Sequence, residues 1–581
     1  MENKSVVILG AGLAGLRSAS VLVDRGYQVT VIERAPMAGG CTSSWTDHRD
    51  PEHGSIRKGQ MQMNFPFYEN LNYFCWRELT LPSIQSPITA LPKSWTNQPN
   101  PSFTGRLDGF FLADEGGRRM HLTGKPSTRI GKALSFLPAP LSNLQILTDF
   151  EGFPTLRDRL SAVRFHALAL LFGDKSVPPI SDDWNFYGIM KHLGLTHEAV
   201  KTFRRITYSI TNLADADQVG PKFMHLFYLA YLRDKNILGC RMMNDDCNPA
   251  LIDRLVETLK ARGVNFRFNC HVRDILTEQK HAIGVTVEDC GHYANMVCDN
   301  CGLLYPPAKQ YPLCPACGCA TPEKKYRKNM AKPTPELIEA EFIISAMQPH
   351  QLANLFRSPD NHPLREFREF RALGQFKGAA LTVSRIFLDR KVTHEYNLTG
   401  LDRDFWSMNG CMDISNIMPR YEKTSVFDTL SDDGEVLEFY PEKVLKARLL
   451  TDVKALFPEV NSAKVHKHLL ARIYPAALYH RPFPRLNSRF LPHSPATSLA
   501  NLFLAGDWTD EFELGMEAAV KSGTRAANAV LEADNRINLQ EPIYRPTVAP
   551  LTAWLQSNFL SRQIKKWYQK RYDKERAPSR G

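Results

Sequence analysis

The stretch Ser5-Val6-Val7-Ile8-Leu9-Gly10-Ala11-Gly12-Leu13-Ala14-Gly15, followed by Gln28-Val29-Thr30-Val31-Ile32-Glu33, decides the fold. Residues 5–9 read as a buried strand. Gly10, Gly12 and Gly15 fill the pattern G-x-G-x-x-G. A helical pattern runs from Leu13 to about Arg25, with Gly26 placed as its C-terminal cap. A second strand, Gln28–Ile32, ends at Glu33. Strand, glycines, helix, strand and acid in this order predict a dinucleotide site. Glycine allows the tight turn and close backbone approach to a pyrophosphate. The phosphates would sit at the helix N-terminus, where unpaired N–H groups and the dipole favour anions. Glu33, 18 residues past Gly15, would accept hydrogen bonds from ribose hydroxyls. An acid here favours FAD or NAD over NADP. Gly10, Gly12, Ala14, Gly15 and Glu33 are therefore candidate cofactor residues.

Arg34 follows Glu33, and Gly39-Gly40-Cys41 comes shortly after. Near the other end, Asn501-Leu-Phe-Leu-Ala-Gly506-Asp507-Trp508-Thr509 reads as a strand ending in a Gly-Asp turn. Gly515-Met516-Glu517 then opens a helix reaching about Leu531. These segments resemble those of the FAD-dependent amine oxidase and carotene desaturase superfamily. The resemblance implies FAD. Glu33-Arg34 and Gly39-Gly40 correspond to a segment in which the glycine pair lets backbone approach the phosphates. The superfamily usually carries Arg or Lys next, where this chain has Cys41. One expected phosphate or flavin contact is therefore missing, while the backbone cradle is kept. Gly506 and Asp507 would meet the ribityl-phosphate region. The helix opening at Met516 and Glu517 would aim N–H groups at the flavin pyrimidine edge, where reduced flavin carries negative charge. Val272, in the strand-like run His271–Ile275, corresponds to a valine whose backbone pairs with adenine.

Gly59-Gln60-Met61 and Tyr68-Glu69-Asn70-Leu71 are similar to segments of plant-type carotene desaturases, aromatic-carotenoid ring synthases and squalene-associated FAD desaturases. Those families carry a histidine where Met61 stands. A role for that histidine as acid or base does not transfer to this chain, so no catalytic residue is assigned.

The implied fold is α/β. A discontinuous Rossmann-like FAD-binding domain would comprise residues 1–80, 240–350 and 495–535. An α+β substrate-binding domain would take 81–239 and 351–494, with Gly378–Phe387 as a strand roofing the flavin. Residues 80–126, rich in Pro, Ser, Thr and Gly, read as loops. Val163–Phe172 and Met224–Leu232 read as apolar helices too short to span a bilayer.

Residues 296–320 form a small insertion that the superfamily does not require. It holds Cys298-x-x-Cys301 and Cys314-x-x-Cys317, separated by 12 residues. Four thiolates at this spacing can close a tetrahedral metal site. The pattern resembles zinc ribbons and rubredoxin-like modules. Sulfur ligation alone does not choose between one zinc, as a staple, and one iron, as an electron outlet.

The chain has 581 residues, with 72 Lys+Arg against 61 Asp+Glu and a net charge of +11. Residues 562–581 alone hold eight basic and two acidic side chains, so more than half of the excess is one C-terminal tail, 545–581. The remainder is nearly balanced, which argues against a nucleic-acid partner. Leu551, Trp554, Leu555 and Phe559 share one helical face; Leu560, Ile564 and Trp567 share a rotated one. A basic amphipathic tail of this kind suits an anionic bilayer surface, or a helix docked on the protein. There is no long apolar run and no secretory-type start. The expected location is cytoplasmic, peripheral to a membrane.

No Ser-His-Asp arrangement or carboxylate pair can be placed by spacing, as suits chemistry in which flavin N5 takes a hydride. The first functional reading is an FAD oxidoreductase acting on a long hydrophobic isoprenoid, carotenoid or squalene-type, by desaturation or isomerisation. Quinone or oxygen would reoxidise the flavin. An amine or amino-acid oxidase is the second reading. A non-catalytic flavin- or metal-bearing interaction module is the third.

Overall fold

The computed structural model describes residues 4–46, 55–57, 63–64, 68–80, 100–106, 109–123, 128–137, 152–172, 186–211, 241–289, 296–297, 304–305, 335–355, 367–373, 381–401, 405–431, 437, 439–473, 495–509, 515–544 and 550–576. Met61, the Met224–Leu232 run, and Cys298, Cys301, Cys314 and Cys317 lie outside them. Among the described residues no group of His, Cys, Asp and Glu is placed to hold a metal. No described helix is long and apolar enough to cross a membrane.

A five-stranded parallel sheet is built from β1 (Ser5–Leu9), β2 (Gln28–Ile32), β10 (Asn265–Arg267), β16 (Phe342–Ser345) and β22 (Leu502–Leu504). Its order is β10-β2-β1-β16-β22, so distant parts of the chain meet in one sheet. Val6 and Ile8 pack into one core with helices α1 (Leu13–Val23), α2 (Glu69–Thr80), α7 (Asp253–Ala261) and α11 (Gly515–Ala533). Val7 and Leu9 pack on the opposite face, against Val272, Ile275 and Val285. These belong to an antiparallel sheet of β11 (Cys270–Glu278), β12 (His281–Asp289) and β15 (Glu336–Glu339). Burial on both faces explains why β1 is apolar at consecutive positions rather than at alternate ones. Helices α8 (Pro349–Leu355) and α9 (Arg368–Leu373) follow β16.

A second sheet has seven strands in the order β21 (Val465–Ile473), β17 (Leu381–Leu388), β20 (Val426–Ser431), β19 (Gly410–Asp413), β18 (Asn397–Gly400), β7 (Gly109–Ala113), β8 (Arg119–Thr123). Helix α10 (Glu442–Leu456) covers one face, where Leu445, Leu449 and Val453 meet Ile386, Cys411 and Phe427. Arg385 projects from the other face and is fully buried. It forms a two-point ion pair with Asp428 (2.6 and 2.9 Å) and reaches Asp246 at 3.1 Å. Asp246 lies in the segment leading to α7, so this arginine ties the second sheet to the first domain. Helix α6 (His197–Thr211) packs on β18, and α4 (Leu156–Phe172) and α5 (Phe186–His192) pack on α6; α3 (Arg129–Ser135) precedes them in the chain.

The loop reading of residues 80–126 is corrected here. The stretch contributes β6 (Gly105–Arg106), β7 and β8. Asp114 closes the β7–β8 turn by accepting the N–H groups of Gly116 and Arg118, each at 2.9 Å. Besides its hairpin partner β8, β7 pairs with β18, parallel and remote in sequence. Local composition carries no sign of such a partner, and tertiary pairing overrides propensity in strands.

Three small pairings complete the frame. Strands β3 (Ser44–Thr46) and β4 (Ser55–Arg57) make a hairpin that packs on β17. Strand β9 (Arg241–Met242) joins β5 (Met63–Asn64) to β6. Met296–Val297 (β13) pairs with Leu304–Tyr305 (β14).

At the C-terminus, α12 (Pro550–Ser557) and α13 (Phe559–Arg576) are separate helices. Asn558 caps both: its amide group donates to the carbonyls of Trp554 and Leu555, and its side-chain oxygen accepts the Ser561 N–H at 2.9 Å. The break falls before Phe559, so the face read as Leu551, Trp554, Leu555 and Phe559 is divided between two helices.

Candidate cofactor site

The carboxyl end of β1 is held by hydrogen bonds from Gly10 N–H to Ile32 O (2.7 Å) and from Ala346 N–H to Leu9 O (2.9 Å). Beyond it the two glycine motifs become one surface. Gly12 and Gly39 form an isolated parallel bridge, and Gly39 N–H donates to Ala11 O at 2.9 Å. Gly40 has φ +57°, and a Cβ on it would lie 3.2 Å from Gly12 Cα. A Cβ on Gly12 would meet nothing within 4 Å, so that position looks into open space. Gly15 is the opposite case, since a Cβ there would lie 2.0 Å from Gly10 O. Helix α1 begins beside this cradle with Gly12 as N-cap, no capping side chain and no acid in its first turn. Its leading N–H groups thus remain available to an anion.

Glu33 lies at the edge of the cradle. Its carboxylate accepts the N–H groups of Ala11 (2.9 Å) and Ala35 (2.8 Å), which fixes its orientation and leaves acceptor capacity over. The β10–β11 connection is laced to the same segment: Glu33 N–H donates to Arg267 O, Cys270 N–H to Glu33 O, and Asn269 N–H to Ala35 O. Val272 is therefore carried close to Glu33, with its side chain in the core and its backbone paired opposite Val287. Burial, with help from Arg273 and exposed Arg34, lowers His271 to about 4, so this imidazole is neutral at pH 7.

The C-terminal motif closes the far side. Ala505 N–H donates to Ser345 O at 2.9 Å, which sets Gly506-Asp507 beside the end of β16. Gly506 N–H donates to Ser522 Oγ (2.9 Å), and Gly506 O accepts Thr509 Oγ1 (2.8 Å). The hydroxyl of Ser345 is buried and has no hydrogen-bond partner among the described residues. Open space above Gly12, an uncapped helix and an unused buried hydroxyl together fit a phosphate-bearing dinucleotide.

Four expected residues take on specific tasks. Gln348, just past β16, donates to Cys41 Sγ at 3.2 Å, so the residue replacing the usual cation faces the strand ends. The Met516 side chain is core, packed with α1. The Glu517 carboxylate is committed elsewhere: it accepts the N–H groups of Asn70 (3.0 Å) and Leu71 (2.7 Å) and the Asn70 amide (2.7 Å). It thereby caps α2, and toward a cofactor only backbone remains at these two positions. Ala14 likewise acts through its backbone, since a Cβ on Gly523 would lie 2.3 Å from Ala14 O where α1 and α11 cross.

Sequence reasoning missed Asn248, which stabilises the loop after the glycine pair. Its side chain accepts Ser44 N–H (2.8 Å) and its N–H donates to Ser44 Oγ (2.9 Å). An Asn-Pro step before a helix was the available signal. It also missed Glu541, a buried carboxylate discussed below.

Residues 8–72 match the NAD(P)-binding Rossmann-like domain family, and residues 323–531 match the family described as flavin containing amine oxidoreductase. Together these matches support the FAD-dependent amine oxidase and desaturase superfamily. The chain is an FAD-dependent oxidoreductase. Within that superfamily it is 23% identical over 555 residues to a probable zeta-carotene desaturase of Synechococcus elongatus, covering 91% of this chain and 98% of the relative. It is 22% identical over 549 residues to a 15-cis-phytoene desaturase of the same organism, covering 90% and 95%. Among solved structures, an oxidoreductase of Methanosarcina mazei superposes with a TM-score of 0.56 at 16% identity, covering 91% of this chain and 100% of that one. At this identity the last match speaks for the fold alone.

Proposed function

We propose that this superfamily member oxidises or isomerises a long hydrophobic isoprenoid, carotenoid or squalene-type, at FAD. The supporting observation is the end-to-end span of the match to the Synechococcus zeta-carotene desaturase, a relative named for such a substrate. When bound, FAD supplies a hydride acceptor. The chain's own residues bind and orient it. In this reading the Gly10–Gly15 turn and Gly39-Gly40 cradle the pyrophosphate, Glu33 takes the ribose, and the Val272 backbone takes the adenine. Gly506-Asp507 meets the ribityl phosphate, and the backbone at Met516-Glu517 meets the pyrimidine edge. The domain limits given above follow from the same assignment. The Arg385-bearing face of the seven-stranded sheet, which also carries Val383 and Phe387, closes the site from above and keeps water out. Quinone or oxygen is the terminal acceptor.

Expression in carotenoid- or squalene-producing hosts, with pigment and lipid analysis, tests the reading. New or shifted polyene products are expected. Unchanged lipids, together with peroxide release on simple amines or amino acids, would replace it with the amine-oxidase reading.

The cysteine insertion is proposed as a metal staple. The β13–β14 pairing supports it, because these strands flank the first cysteine pair in sequence. One zinc per chain is expected by elemental analysis, with iron as the alternative metal. Replacing Cys298 and Cys301 by Ser should remove the metal and leave flavin content intact. A metal content unchanged by that replacement would reject the staple.

A further inference from the structure

Glu517 stands in the first turn of α11, where an acid ordinarily turns back onto the N-terminus of its own helix. Here it is turned to another helix. Its Oε1 accepts the Asn70 N–H at 3.0 Å and the Asn70 amide group at 2.7 Å, and its Oε2 accepts the Leu71 N–H at 2.7 Å, all from the opening turn of α2. The Asn70 side chain has one orientation open to it. Its Oδ1 accepts the Tyr544 N–H and its Nδ2 donates to the Tyr544 carbonyl, each at 3.0 Å, so the other N–H of the amide is aimed at Glu517. Turning the amide over would set its oxygen against both the carboxylate and the Tyr544 carbonyl. Glu517 and Asn70 are buried, and in such a setting the placement of one charge is felt strongly by its neighbours.

We propose that Asn70 is a positioning residue that sets the reduction potential of the flavin, by committing the Glu517 charge to α2 and leaving the N-terminal dipole of α11 to the cofactor. This rests on the placement of the flavin pyrimidine edge at Met516-Glu517 given above. Reduced flavin carries negative charge at that edge. A helix N-terminus favours that charge, and a carboxylate that is not quenched opposes it. The Asn70 amide quenches part of the carboxylate charge, and Tyr544, in the segment after α11, holds the amide in place.

The test is the midpoint reduction potential of the flavin-loaded full chain, read spectroscopically against a reference dye. Wild type, Asn70→Ala, Glu517→Gln and the double variant are compared, with no isoprenoid present. Asn70→Ala should shift the two-electron equilibrium toward oxidised flavin about tenfold, which lowers the potential by about 30 mV. Glu517→Gln should shift it the other way, and adding Asn70→Ala to Glu517→Gln should change it no further. Asn70→Ser keeps a hydroxyl donor and should lie between wild type and Asn70→Ala; its shift decides the matter if Asn70→Ala does not hold flavin. Equal shifts by Asn70→Ala with and without the Glu517 carboxylate would mean that Asn70 acts on the fold at large, and would overturn the proposal. A wild-type potential in Asn70→Ala, while Glu517→Gln moves it, overturns it too. A potential moved by no variant would take the pyrimidine edge away from α11 and the inference with it. Unchanged lipids in producing hosts would instead remove the isoprenoid reading and leave these potentials as expected.

Discussion

Replacing Glu541 by Gln is expected to destabilise the protein by about 3–5 kcal/mol at pH 7, the range for removing one partner of a buried ion group. Glu541 is buried among three guanidiniums. Arg17 (3.0 Å) and Arg77 (2.9 Å) meet one carboxylate oxygen and Arg25 (2.5 Å) meets the other, while Tyr73 donates to the first at 3.1 Å. The wider group adds Asp24, Glu78 and Arg262, so four arginines already face only three acids. Loss of one acid leaves positive charge in a dry interior where α1, α2, α7 and the chain after α11 converge. Burial by itself would raise the Glu541 carboxyl, but Arg17, Arg77 and Arg25 outweigh it and hold it below its ordinary value. A depressed carboxylate stabilises the fold above its unfolded-state pKa, and that contribution is lost as pH falls through the lower folded value. Urea unfolding at neutral pH should therefore separate wild type from Glu541→Gln. The gap should close as pH falls below about 4, the unfolded glutamate range. Equal urea midpoints at pH 7 would show that the carboxylate adds nothing.

Much of the nucleotide half was legible because each signal was local. Strand β1, the helix after Gly12, β2 and Glu33 lie within one short stretch, and the helix opening at Gly515 announces itself by its own glycine. What could not be read is what joins distant segments. Glu517 resembles a cofactor residue by position, yet its carboxylate caps α2 through Asn70 and Leu71. Two motifs singled out separately thus turn out to hold each other. Glu541 carries no motif at all, and its importance comes from arginines hundreds of residues earlier. Strand β7 was hidden for a related reason, since one of its two partners, β18, is remote. The half built on the seven-stranded sheet has no local fingerprint, and in the proposed reading none is needed, because an apolar substrate is held by volume and dryness rather than by particular residue types.

The other large effect separates cofactor binding from folding at two glycines of one motif. Gly12→Val should leave a folded protein that purifies without flavin. Its Cβ enters open space, so nothing in the chain resists it, but that space lies in the bridge to Gly39 and at the start of α1. A dinucleotide seated there must move aside, and it then loses the close backbone approach at the Gly12–Gly39 bridge and the N–H groups opening α1. Gly15→Val should instead cost about 3 kcal/mol or more of stability, at the upper end of overpacking effects. Its Cβ would lie 2.0 Å from Gly10 O, which is backbone and already tied by Gly10 N–H to Ile32 O. Helix α1 would have to lift from β1, disturbing Val6 and Ile8 beneath it. Flavin absorbance after gel filtration, read beside thermal melts of the flavin-free proteins, distinguishes the two. Full flavin retention in Gly12→Val would move the pyrophosphate away from this cradle. A flavin-free Gly15→Val protein melting like wild type would mean that helix and strand can part there without cost, against the packing seen at Gly10.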